Sequence, residues 1–183
     1  MGATIEMEKS DWKFSILAGL PATGDLPIQF SATGMGLHSE GLVAKFWSES
    51  SGESWVGNFQ RGLSNFDDAV QHPNSVDVIV VAGGEAYVVN PATHSLQENF
   101  GGAFETISEV PDAKYLIFGT STDFVAVGPA GRVWRSERIA LDGVRSLHVD
   151  GLTLKGEADN GFDKWLPFSV DVLTGASDPW WEP

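Results

Sequence analysis

At 183 residues, 42% hydrophobic and 20% charged, the chain lies in the globular range, with apolar material for one good core or two small ones. A formal net charge of −14 argues against binding a nucleic-acid backbone, which recruits Lys and Arg, and equally against an anionic membrane surface. Zero Cys removes disulfides, thiol catalysis and cysteine-ligated zinc, and is compatible with the cytosol.

Seven Trp and eleven Phe against two Tyr, with 21 Gly and 9 Pro, suit a β-dominated chain with many turns. The opening MGATIEMEKSDWKF lacks a basic region followed by a long apolar run, so no secretory signal is expected. Glu6 stands where a myristoylation pattern needs Ser or Thr. Ile16–Leu20 is too short to span a bilayer. A cytoplasmic protein is the expectation.

In chain order, Trp12–Leu17 and Ile28–Phe30 read as strands, and Ser31–Gly41 as a small-residue loop without phosphate-loop spacing. Leu42–Trp47 and Trp55–Gln60 form a hairpin across the polar SESSGES. Leu63–Gln71 is the one helix predicted, with Ser64 or Asn65 as cap, Asp67 and Asp68 in its first turn, and Pro73 beyond its end. Val76–Ala82 and Glu85–Asn90 flank Gly83-Gly84, a two-residue hairpin signal. Ala103–Val110 is a further strand.

The stretch Lys114–Ile139 then reads as three consecutive strands, Tyr115–Gly119, Asp123–Val127 and Arg132–Ile139. The first two are apolar without alternation, so both their faces should be covered. Ser146–Val149 and Leu152–Ala158 make another hairpin through Asp150-Gly151. Leu166–Val172 alternates cleanly, and Pro167 places that strand's start, or a sheet edge, at this point. The run Asp77–Tyr87 is echoed by Asp123–Trp134, 46 to 47 residues on, a spacing in the range of propeller blades.

The predicted fold is therefore all-β: meandering antiparallel sheets packed as a sandwich or half-open barrel, with one short helix. The alternative is a small β-propeller-like ring. Residues 1–183 read as one β-rich domain, with a division between two sheets near 100–113.

No catalytic pattern stands out. His38, His72, His94 and His148 are scattered and none is at metal-ligand spacing; His72 and His94 read as turn residues. No Gly-x-Ser-x-Gly occurs. Glu157, Asp159, Asn160 and Asp163 form the densest oxygen cluster, but it lacks the closing Glu of a calcium loop and reads as a turn. Arg132 and Arg138 share a strand face with Arg135 opposite, so they should pair with carboxylates or stack on Trp134 rather than form one patch. No catalytic, cofactor-binding or metal-ligating residue is assigned.

Between Gly62 and Ala113 there are eight Asp and Glu and no Lys or Arg. Such a stretch is either a solvated surface or an acidic face for a basic partner. The tail carries Trp180 and Trp181, which should dock on the core or on a partner.

From Tyr115 to Gly175 the succession Asp123–Ser136, Asp142–Gly156 and Phe168–Gly175 has three parts. These are an apolar run with a Gly turn and Trp strand, a Gly-rich hairpin, and a closing Phe-x-Val-Asp-x-x-Thr-Gly. It resembles a group of small bacterial all-β proteins without an assigned activity. The resemblance implies a β domain and carries no site residue.

The sequence thus leads to a non-catalytic protein, of immunity or accessory type, that binds a macromolecule through an acidic surface. The expected partner is a protein with a basic surface, met through Asp67, Asp68, Trp180 and Trp181. A carboxylate-dependent hydrolase and a carbohydrate-binding module are the alternatives; oligomeric state is open.

Overall fold

The structure is a computed structural model that describes residues 11–34, 36, 38–162 and 164–178. It is all-β, with 15 strands among the described residues. They are β1 (Trp12–Leu17), β2 (Ile28–Phe30), β3 (Leu42–Ser48), β4 (Ser54–Phe59), β5 (Asp68–Gln71), β6 (Val78–Ala82), β7 (Glu85–Asn90) and β8 (Ser95–Gly101). Then come β9 (Thr106–Val110), β10 (Tyr115–Gly119), β11 (Phe124–Gly128), β12 (Gly131–Arg135), β13 (Val144–Asp150), β14 (Thr153–Asp159) and β15 (Trp165–Asp171). No sheet closes into a barrel among the described residues. The chain divides into two compact units, residues 1–103 and 104–183.

In the first unit, one sheet has the order β1-β3-β4-β2 and the other β5-β6-β7-β8. Their inward faces form one core: Phe30, Phe46, Trp55 and Phe59 from the first, Val78, Val80, Tyr87 and Val89 from the second. Phe46 stacks on Trp55 at 4.2 Å, Phe30 stacks on Phe59 at 4.7 Å, and Phe59 meets Tyr87 at 5.5 Å. The polar ends of these rings are satisfied. Trp55 Nε1 donates to Pro91 O at 2.8 Å, and Tyr87 Oη to Gln60 O at 2.8 Å. Burial, aided by the Glu85 carboxylate, pushes the Tyr87 hydroxyl up to about 12.

The helix expected over Leu63–Gln71 does not form. Residues 63–67 are irregular and Asp68–Gln71 is strand β5, paired with β6. Two turns would have been too short to hold alone, and Leu63, 91% exposed, offers no apolar face to dock. The supposed helix-capping groups work locally instead. Ser64 Oγ accepts from Phe66 N, and Asp67 Oδ1 accepts from Gly83 N at 2.8 Å and Arg61 Nη1 at 2.7 Å. The segment is pinned by backbone bonds to the β6–β7 turn and to Gly102. Gly62 N donates to Ala82 O, Leu63 N to Gly102 O and Ser64 N to Gly83 O.

His72 sits in the β5–β6 turn, 4% exposed, where its Nδ1 accepts from Asn74 N at 3.0 Å. Burial holds its pKa below the usual value of 6.5, against the opposing pull of Asp77 and Glu98. The unfolded chain therefore binds the proton more readily. Stability should be complete above about pH 6.5 and fall as pH drops toward the depressed folded value. Urea melts between pH 7 and 5 should show this fall, and His72→Gln should flatten it; an unchanged slope would remove the assignment.

In the second unit, β12-β11-β10-β9 forms one sheet and β13-β14-β15 the other. Ile117, Phe124 and Ala126 meet Leu154, Phe168 and Val170 in its core. β11 is buried along its whole length and β10 from Leu116 onward, as their unbroken apolar runs require. Trp134 Nε1 donates to Val172 O at 2.8 Å, and the indole ring lies against Gly175. Arg135 pairs with Asp123 at 2.7 Å, while Arg138 donates to the carbonyls of Ala140 and Leu141.

A repeat is present, but not at the spacing of the sequence echo. β5, β9 and β13 begin at Asp68, Thr106 and Val144, 38 residues apart each time, and each opens a meander in sequential order. The echo of 46 to 47 residues matched hairpin β6–β7 with β11–β12, whereas the meanders align β6–β7 with β10–β11. It was displaced by one strand, because alternate hairpins in a meander look alike.

Candidate functional site

The outward face of β13–β15 carries a groove of about 490 Å³, lined by Ser146, His148, Lys155, Glu157, Pro167, Phe168 and Ser169 among others. A second hollow of about 260 Å³ adjoins it and shares Ser169 and Asp178, with Thr153, Asp171, Ala176 and Ser177 in its wall. A β-bulge shapes the first. Arg145 pairs with Glu157 and His148 with Lys155, so Ser146 and Leu147 together oppose Gly156 alone. Ser146 takes φ 55, a left-handed conformation that re-aims the strand. A Cβ at Gly156 would lie 2.9 Å from Arg145 O and 2.9 Å from Leu147 Cδ2, so only Gly admits the bulge.

Two ion pairs border the groove. Lys155 Nζ reaches Asp150 Oδ2 at 2.6 Å, and that hydrogen bond holds the Asp150 carboxyl below its usual range. Arg145 Nε reaches Glu157 Oε2 at 2.9 Å, and its guanidinium lies 4.2 Å from the centroid of the Trp165 ring. The stack adds about 0.5–1 kcal/mol at such a half-exposed place. At the shared end, Asp178 Oδ2 accepts from Ser169 Oγ at 2.5 Å. Asp171 accepts from Thr174 Oγ1 and Thr174 N, which hold its carboxyl below the usual range. Neither Asp171 nor Asp178 meets a cation among the described residues.

Ser146 and Ser169 hydroxyls bond carboxylates, and His148 Nδ1 lies 3.1 Å from Ser146 O, so among the described residues the groove shows no hydroxyl paired to an imidazole base. Among the described residues no three His, Cys, Asp or Glu are grouped to hold a metal. At the EADNGFD turn, Asp159 and Asn160 accept from Gly161 N and Phe162 N, closing the turn on itself; Asp163 lies outside the described residues.

The acidic stretch is divided by the fold. Asp67, Asp68, Asp77 and Glu98 are half-buried, Glu85 is buried, and all five belong to the first unit. Asp67 serves the Arg61–Gly83 clasp, Asp77 Oδ2 accepts from Asn74 Nδ2, and Glu85 Oε1 accepts from Asn99 Nδ2. Asp68 Oδ1 accepts from Ala69 N. Glu105, Glu109 and Asp112 are exposed in the second unit. Glu109 lies on the face of edge strand β9 opposite to core residue Val110, Glu105 stands just ahead of that strand with its N bonded to Gly119 O, and Asp112 follows in the next turn. Trp180 and Trp181 lie outside the described residues. Trp55 is buried and the other described Trp are half-buried.

No protein family and no curated protein matches the chain. Among solved structures it is similar to hydrazine synthase of Kuenenia stuttgartiensis, at 16% identity and TM-score 0.47, over 85% of this chain and 49% of that one. It is also similar to a eukaryotic initiation factor at 9% identity and TM-score 0.43, over 77% and 40%. A chain of a mitotic checkpoint complex, at 11% identity and TM-score 0.45, is similar over 97% and 56%. The chain spans about half the length of these structures, and no activity passes from them to it. Among the described residues no helix is long and apolar enough to cross a membrane.

Proposed function

We propose that this chain is a non-catalytic binding protein whose partner is another protein with a basic surface. The observation that carries the reading is the acidic edge at β9: exposed Glu105, Glu109 and Asp112, with no ion-pair partner among the described residues. Uncompensated carboxylates at a sheet edge repel further strands, and they also steer a cationic partner toward that edge. The net charge of −14 extends the attraction beyond the contact itself.

The test is capture from a lysate of the source organism, at low and high salt, with the wild-type chain and with Glu105, Glu109 and Asp112 all changed to Lys. A basic protein held at low salt, released at high salt and lost by the triple variant is the expected result. Equal capture by both chains, or none by either, would overturn the reading.

A further inference from the structure

We infer that the two adjoining hollows over β13–β15 seat an extended, cationic peptide segment of the partner, with a Lys or Arg side chain received between Asp171 and Asp178. This rests on the reading of the chain as a binder of basic proteins. The shape argues for an extended occupant. The hollows share Ser169 and Asp178 and run along outward residues Thr153, Lys155 and Glu157 of β14. That run spans about 13 Å at about 3.3 Å per residue, the length of about four residues of extended chain.

The charge argues for a cation. Lys155 and Glu157 are already neutralised by Asp150 and Arg145, so they present no net field to an occupant. Asp171 and Asp178 keep theirs, held only by hydroxyl and backbone donors. Exposed Pro167 in the wall suits the aliphatic stem of a Lys or Arg, which packs on apolar surface while its charged head stays polar. An anionic peptide would meet the same two carboxylates as repulsion.

The probe is a fluorescein-labelled Leu-Lys-Leu-Lys-Leu-Lys amide, with its Glu counterpart as control, titrated against the full chain at low salt and followed by anisotropy. The Lys peptide should bind and the Glu peptide should not, with amide shifts confined to residues lining the hollows. Asp178→Asn, which keeps a partner for Ser169, should weaken binding about fivefold, and Asp178→Lys more. Equal affinity of Asp178→Asn, or shifts mapping elsewhere, would overturn the inference. So would binding seen only after residues 179–183 are removed, which would make the chain's own tail the occupant. Capture of a basic protein that persists undiminished in Asp178→Lys would sink the groove and leave the proposed function standing. Absence of any capture would sink the function itself.

Discussion

Gly62→Ala is expected to destabilise the first unit by about 3 kcal/mol or more, at the upper end of what overpacking does. A Cβ there would lie 2.5 Å from Gly102 O, 2.7 Å from Gly83 O and 3.0 Å from Glu85 N, all backbone atoms. None can rotate aside, so relief requires moving the 62–64 segment. That movement breaks its bonds to Ala82, Gly102 and Gly83. Gly36→Ala, with no described residue beyond its chain neighbours within 4 Å of the added Cβ, should stay within about 0.5 kcal/mol. Urea melts of the two variants measure the difference, and a Gly62→Ala chain as stable as Gly36→Ala would refute the threading.

Phe59→Ala should remove about 3–5 kcal/mol, a large share of the stability of an ordinary domain. Phe59 is fully buried at the meeting point of Phe30, Phe46 and Tyr87. The backbone at Gly57 already closes on its ring, where a Cβ would lie 2.6 Å from Cε2, so little can collapse into the vacated space. Hydrogen exchange should quicken most in β3, β4, β6 and β7, the strands whose side chains share that core. Phe162→Ala, at a residue 80% exposed, is the matched control and should be near neutral. Similar melts for both would mean that the aromatic cluster does not hold the unit together.

Much of the strand pattern was legible because its signals are local. Gly83-Gly84 between two apolar runs marked β6–β7, and the alternation from Leu166 to Val172 marked β15 with Phe168 and Val170 inward. The failures come from interactions that sequence spacing does not encode. β8 is polar along most of its length and became a strand by pairing with β7. β2 runs parallel to β4, a pairing set by tertiary packing between distant segments. Residues 63–71 carried good capping chemistry, yet Asp67 found a better use in holding the Gly83 amide.

The candidate site was less visible still. Its residues come from three strands and a return segment, and the bulge at Ser146 depends on Gly156 across the sheet, which no reading of β13 alone could supply. Asp178 drew no notice in the sequence because its importance lies in what surrounds it. The hint available was the Asp-x-x-Thr-Gly at Asp171–Gly175, which turns the chain back along β15.

Pro167 gives the edge of β15 a further meaning. Val172 N bonds Leu152 O, so the even-numbered residues face β14, and the amide that proline lacks falls on the outward side. On that side Ser169 O and Asp171 N are already taken by Asp178 and Ala176. A foreign strand zipping along this edge would find a missing rung in the middle and occupied rungs beyond it. Fibre growth needs an unbroken ladder that each added chain can copy. In a molecule so rich in Val, Ile and Phe strands, the proline ring and the return segment together close this edge as a template for aggregation.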